Sequence, residues 1–202
     1  MAVVYETNVQ GHSLAWKKVG LRKKLTKKDM QEIEILKQLS HEHIIRLVGT
    51  YTHHRILGLL LFSVAVCDLH TFFDDAEAYW NQTAEESQLQ RLRQLGYFKE
   101  DETTYKHKAW PIYAQIGCLM SAIAYLHSQS VRYKDLKPSN VLLSRGQLYL
   151  SDFGTATDFS LLSRSATGHG GGTYVYFSPE VSRFPLFLDS ADFTIDLDCQ
   201  LP

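Results

Sequence analysis

The chain has 202 residues, with 21 Lys+Arg against 22 Asp+Glu and a formal net charge of −1. A hydrophobic fraction of 45% and a charged fraction of 21% suit a soluble globular protein with one or two cores and no need of disulfide staples. The near-zero charge argues against nucleic-acid binding through an overall basic field. Cys67, Cys118 and Cys199 are odd in number and far apart, which makes neither a disulfide framework nor a Cys-x-x-Cys zinc pattern. An intracellular chain, cytoplasmic or nuclear, is the reading that follows.

Residues 1–6 lack a basic region followed by an apolar stretch, so no signal peptide is expected. The apolar runs 56–67 and 112–126 fall short of the ~18 residues of a membrane helix. They read as a buried strand and a buried helix, with no membrane partner.

In chain order, Val3-Val4-Tyr5 and Leu14-Ala15-Trp16-Lys17-Lys18-Val19 predict two antiparallel strands around a turn at Gln10-Gly11-His12. Thr26-Lys27-Lys28-Asp29 has the spacing of a capping box, and Met30, Ile33, Leu36 and Leu39 then predict one apolar helix face. Strand signals return over 44–51 and 56–66. Residues 70–108 are polar and poorly periodic, which predicts a short helix and an inserted loop. A helix is predicted over 109–127, apolar almost all round and therefore buried on several sides. Val141-Leu142-Leu143 and Leu148-Tyr149-Leu150 flank a turn at Arg145-Gly146, and the chain after Asp152 is rich in Gly, Ser and Thr, as in a long loop. The pattern is α+β in two unequal lobes.

The chemistry concentrates in Tyr133-Lys134-Asp135-Leu136-Lys137-Pro138-Ser139-Asn140, followed by Asp152-Phe153-Gly154, Gly172-Thr173 and Ser178-Pro179-Glu180. In this order and spacing the chain resembles a eukaryotic-type protein kinase of the serine/threonine kind, with its H-R-D-L-x-x-x-N, D-F-G and A-P-E signatures. Taken singly, Lys17 reads as a strand-edge lysine, and Asp135, Asn140 and Asp152 read as turn residues. The ordered set makes chance similarity improbable. His41-Glu42-His43 and His53-His54 lack further ligands at a zinc-site spacing and read as ordinary core or surface histidines.

The resemblance implies a bilobal kinase-like fold with an incomplete C-terminal lobe, and cofactors ATP and Mg²⁺. It implies γ-phosphate transfer to a Ser/Thr hydroxyl of a protein substrate. Phosphoryl transfer needs positioning and cationic stabilisation more than covalent chemistry. By motif position Asp135 orients the acceptor hydroxyl, Lys137 neutralises the γ-phosphate, and Thr173 ties the docking loop to both. Asn140 and Asp152 match the metal ligands. Leu14-Ala15-Trp16-Lys17 resembles the V-A-I-K strand, so Lys17 takes the α/β-phosphates. Glu32 and Glu34 are the candidates for its partner; the spacing to Leu39-Ser40-His41 resembles the family's when Glu32 takes the role, and Glu34 points about 200° away around the helix. Val4, Ala15 and Leu142 match the apolar positions around adenine. Phe62 matches the residue at the back of the pocket, with 63–66 as the connector.

The chain also departs from the pattern. Met1-Ala2 stands where the glycine-rich loop ends, so no amide cradle for the phosphates is expected. Tyr133 replaces the usual histidine, a mild change. Lys134 replaces an arginine and supplies a charge without a planar fork. Only 22 residues follow Glu180, and no D-x-W motif occurs among them. The resemblance covers roughly 1–182, with an N-lobe to about 66, a partial C-lobe over 67–182 and a non-matching tail over 183–202. The sequence therefore reads as a piece of a kinase, with a pseudokinase-like binding module or an inactive truncated copy as the alternative. Ser160, Ser163, Ser165 and Thr167 fall in the activation segment as candidate phosphosites. Substrate identity and oligomeric state are not legible.

Overall fold

A computed structural model describes residues 2–21, 27–97, 115–160 and 172–176. The expected capping residue Thr26, the start of the helix predicted from 109, Ser163, Ser165, Thr167, Ser178-Pro179-Glu180 and the tail lie outside the described residues.

Four antiparallel strands open the chain: β1 (Ala2–Val9), β2 (His12–Gly20), β3 (Arg46–His53) and β4 (Ile56–Phe62), in spatial order β1-β2-β4-β3. The predicted hairpin forms because Gln10 and Gly11 both take positive φ, 52° and 83°, as a two-residue turn between right-twisted strands requires. On the sheet's outer face Trp16 lies between Tyr5 and Tyr51, with both centroid distances 6.0 Å, and the Lys18 ammonium sits 3.7 Å from the Trp16 ring centroid. Gly58 makes this stack possible. A Cβ there would lie 2.3 Å from Tyr51 Cε1 and 2.9 Å from Trp16 Nε1.

Helix α1 (Lys27–Gln38) buries Ile33, Ile35 and Leu36, with Leu39 just beyond its end. Met30, expected on the same face, is exposed. Beyond β5 (Cys67–Asp68), the segment predicted to hold one short helix and a loop contains two helices, α2 (Leu69–Trp80) and α3 (Glu86–Gln94). The Asp68 side chain caps α2 by accepting from Thr71 N at 2.8 Å. Asp75 is buried on α2, and Arg91 on α3 grips it through Nε at 2.7 Å and Nη2 at 2.6 Å. That bidentate pair, with Leu92 and Leu95 buried, joins the two helices. Burial pushes the nearby Cys67 thiol up to about 12, and the Asp75 and Asp68 charges add to it.

Helix α4 (Ile116–Ser128) buries Ala122 and Leu126. The expectation of burial on several sides is corrected here: Ile116 and Met120 are 54% and 60% exposed. After β6 (Val131–Arg132) and a 3₁₀ turn over Pro138–Asn140, the hairpin β7 (Val141–Ser144) and β8 (Gln147–Leu150) forms at Arg145-Gly146 as expected. Strand β9 (Thr157–Asp158) pairs with β6.

The two halves share one core, in which Ile33, Leu36 and Leu59 cluster with Val141, Leu150 and Phe153. Backbone bonds fix the junction: Leu150 N donates to His43 O at 2.8 Å, and Ile45 N donates to Leu150 O at 3.0 Å. This junction carries the end of β8, and with it Asp152, beneath the sheet that holds Lys17. Among the described residues no helix is long and apolar enough to cross a membrane.

Candidate active site

Two clusters of side chains meet at this junction. In the first, Lys17 Nζ donates to Glu32 Oε1 at 2.8 Å and to Asp152 Oδ1 at 3.0 Å. Lys17 and Glu32 are largely buried, whereas the Asp152 side chain is 50% exposed. Burial alone would lower the Lys17 ammonium. Glu32 and then Asp152 outweigh it, so its pKa lies above the ordinary 10.5. Glu34 is exposed, as the helical spacing requires. Asp152 sits at φ 55°, and Gly154 lies against it: a Cβ there would make ordinary contact, 3.4 Å from Asp152 Oδ1 and 3.5 Å from Glu32 Oε2.

The second cluster surrounds Asp135, which is buried. Its Oδ1 accepts from Thr173 Oγ1 at 2.7 Å. Its Oδ2 accepts from Asn140 Nδ2 at 3.1 Å and lies 2.9 Å from Lys137 Nζ. Lys137 also donates to Thr173 Oγ1 at 2.7 Å, so the hydroxyl passes its own proton toward the carboxylate. Asn140 Nδ2 further donates to the Asp135 carbonyl at 2.8 Å. Burial would raise the Asp135 carboxyl, but the bonds from Thr173, Lys137 and Asn140 together hold it below the ordinary 3.8. It is therefore ionised at neutral pH.

Short chain segments position both clusters. Ser151 donates to the Asn140 carbonyl through its N at 2.9 Å and its Oγ at 3.0 Å, which ties the residue before Asp152 to the turn that holds Asn140. Tyr133 donates its hydroxyl to the Ser151 carbonyl and meets Phe153 edge-on, with centroids 5.1 Å apart. Burial drives the Tyr133 phenol upward, and the Asp152 and Asp135 charges add to the shift, so it stays a donor. Lys134 is half-buried; burial and then the Arg132 charge lower its ammonium.

The sequence-derived residues are thus largely brought together. Lys17, Glu32 and Asp152 form one contact chain, and Asp135, Lys137, Asn140 and Thr173 form another. Val4 pairs with Lys17 across β1–β2, so Val4, Ala15 and Lys17 share a sheet face, although Val4 is 57% exposed. Leu142 is half-buried on the separate β5-β7-β8 sheet. Phe62 does not hold the expected position: it is exposed, with the Arg46 guanidinium 5.1 Å from its ring centroid. Leu61 faces inward instead, paired with Ala15, while Leu59 pairs with Lys17. Sequence reasoning also missed Ser151 and Gln31. No spacing marks the first, and the second stands one residue before Glu32.

Asn140 and Asp152 offer oxygens that fit a hard divalent cation. Both Asn140 side-chain bonds named above are donated by Nδ2, leaving the amide oxygen as its acceptor, and the Asp152 carboxylate is half-open to solvent. Among the described residues no group of three or more His, Cys, Asp or Glu could hold a metal alone. Mg²⁺ keeps waters and phosphate oxygens and takes one or two protein ligands, a role that Asn140 and Asp152 have the oxygens to fill.

Comparison with known sequences gives the class of protein to which this chain belongs. The family model described as "Protein kinase domain" matches residues 1–193. The chain belongs to the protein kinase domain family. It is 33% identical over 162 residues to PRKY of Homo sapiens, covering 80% of this chain and 47% of that protein. Identity to the cAMP-dependent protein kinase catalytic subunit PRKX of Homo sapiens is 34% over 151 residues, 74% of this chain and 33% of that one. With Cyclin-dependent kinase D-1 of Arabidopsis thaliana it is 28% over 175 residues, 85% of this chain and 37% of the other. The chain spans about half or less of the length of these relatives. Among the described residues, a β-rich N-terminal region followed by α2, α3 and α4 agrees with the bilobal kinase fold.

Proposed function

We propose that the chain carries the catalytic machinery of a protein serine/threonine kinase, which transfers the γ-phosphate of ATP to a Ser or Thr hydroxyl of a protein. The observation that carries the proposal is the state of Asp135. An ionised carboxylate has about four lone-pair sites. Thr173, Lys137 and Asn140 occupy three, and the fourth, on Oδ1, is left for the proton of an acceptor hydroxyl. The low pKa keeps that site an acceptor across neutral pH.

Lys17 would serve the nucleotide. Its ammonium has three donors, of which Glu32 and Asp152 take two, so one can meet a phosphate oxygen. Asp152 and Asn140 would hold Mg²⁺ through oxygen. Bound Mg²⁺-ATP supplies the transferable phosphoryl group and the charge neutralisation that its transfer demands. Lys137, anchored to both Asp135 and Thr173, adds a cation beside the acceptor. The protein's part is to hold the hydroxyl, the lysines and the metal-binding oxygens in register.

The test is ATP-dependent labelling of a generic basic protein by residues 1–202 in the presence of Mg²⁺. Labelling should depend on Asp135, and Asp135→Asn should lower it about 10²–10⁴-fold, the range of a positioned acid–base group. Binding of a fluorescent ATP analogue should persist in the variant. Labelling that Asp135→Asn leaves unchanged, or analogue affinity lost in proportion to turnover, would sink the assignment. Binding of the analogue without any labelling would favour the binding-module reading.

A further inference from the structure

Glu32 is not the sole point at which α1 reaches the chain around Asp152. Gln31, its neighbour on the helix, donates Nε2 to the Ala156 carbonyl at 3.2 Å. The acceptor is a carbonyl oxygen, so the amide must present its NH₂ side. Ala156 is buried, and its own N–H closes a turn onto the Phe153 carbonyl at 3.0 Å. Immediately after it, β9 is paired to β6 through Thr157–Arg132 and Asp158–Val131. The carbonyl that Gln31 reaches therefore belongs to a stretch held on both sides.

The two ties have different directions. Consecutive helix residues project about 100° apart. Glu32 runs through Lys17 to the Asp152 side chain, whereas Gln31 runs directly to the backbone four residues beyond Asp152. One ion pair alone would act as a pivot, about which α1 could roll while Lys17 followed Glu32 or stayed with Asp152. Two contacts that diverge around the helix remove that freedom. The contacts form a closed ring: Gln31, Glu32, Lys17, Asp152, the turn 153–156, and back to Gln31.

We infer that Gln31 is a positioning residue, whose amide locks the roll of α1 to the segment after Asp152 so that the Lys17–Glu32 and Lys17–Asp152 contacts form and break together. This rests on the reading of Lys17, Glu32 and Asp152 as the nucleotide-binding side of the site. Gln31 touches no reacting group. It acts through Glu32 and through the backbone that carries Asp152.

Hydrogen–deuterium exchange of the 202-residue chain, read by mass spectrometry, tests the inference without requiring phosphoryl transfer. Gln31→Glu keeps the length but replaces the donor with an acceptor, and Gln31→Arg keeps a donor. In Gln31→Glu, exchange should quicken about five- to tenfold in peptides covering both 27–38 and 152–158, the scale of one lost hydrogen bond. Peptides covering 141–150 should not change. Gln31→Arg should stay within about twofold of the parent chain throughout, since a donor again faces the carbonyl. A rise in one of the two segments alone, a rise that includes 141–150, or equal behaviour of the two variants would overturn the proposal. A failure of ATP-dependent labelling would count against the kinase reading and leave this outcome readable.

Discussion

The two halves of the site are built in opposite ways. The Asp135 cluster is local: Lys137 and Asn140 lie two and five residues on, and only Thr173 arrives from far along the chain. The Lys17 cluster is assembled from three elements, β2, α1 and the turn after β8, and its partners stand 15 and 135 residues away in sequence. The acceptor side is therefore fixed by a short loop and a 3₁₀ turn. The Lys17 side depends on how a sheet, a helix and a second sheet dock. A perturbation of docking should disturb the second half and spare the first.

Substitutions can test that contrast. After Asp135→Asn, the largest effect should come from Lys17→Met, which removes a cation pre-aimed at developing charge. Phosphate labelling should fall about 10²–10³-fold, as for other preorganised donors. Glu32→Gln should cost less, and the double variant should show a coupling of about 0.5–3 kcal/mol in a labelling-rate cycle, because the two side chains act as one unit. Additive losses would mean that the docked half does not work as a unit.

Thr173→Val should be milder. It deletes one hydroxyl bond to a carboxylate that keeps Lys137 and Asn140, so a loss of about 1.5–3 kcal/mol, or roughly ten- to a hundredfold in rate, is expected. Analogue binding should be untouched. If binding falls as well, the two halves are less separate than the geometry indicates.

The smallest effect concerns pH. Lys17 has a raised folded pKa, so its contribution to stability is complete below 10.5 and disappears as pH rises through the higher folded value. Asp135 is depressed. Its contribution is present above 3.8 and is lost as pH falls through the lower folded value. The melting-temperature difference between the parent chain and Lys17→Met should thus be flat from neutral pH up to 10.5 and narrow above it. A difference that changes around neutral pH would show that another group titrates with the pair.

The local half was the more legible in sequence for the same physical reason. Asp135, Lys137 and Asn140 carry their geometry in their spacing, and Asp152-Phe153-Gly154 follows at a short interval. Lys17 was readable through the resemblance of Leu14-Ala15-Trp16-Lys17 to the V-A-I-K strand, and Glu32 through a family-like spacing to Leu39-Ser40-His41, with helix geometry setting Glu34 apart. Phe62 was misplaced because Ile56-Leu57-Gly58-Leu59-Leu60-Leu61-Phe62 is apolar at nearly every position, which hides the period-two alternation. The pairings of Leu59 with Lys17 and Leu61 with Ala15 decide which face is inward. Helix α3 escaped notice because its surface is almost wholly polar. Only Leu89, Leu92 and Leu95 mark its inner face, and the Asp75–Arg91 pair that anchors it joins two elements no periodicity connects. Gln31 is an ordinary helix residue until the Ala156 carbonyl is placed opposite it.

Gly58 limits the order in which this sheet can change. Any side chain there meets the Tyr51 ring at a distance no folded protein sustains, so a larger residue is admissible only after Tyr51 has become smaller or swung away and the Trp16 indole has given a few tenths of an ångström. Tyr51 is in turn one of the two rings that flank Trp16, and its loss would bare the indole on that side. Substitutions at 51 and 58 should therefore be epistatic. Gly58→Ala alone should be harmful, Tyr51→Ala alone costly through the exposed indole, and the pair milder than the sum of the two, leaving only one sequential route between the present sheet and a repacked one.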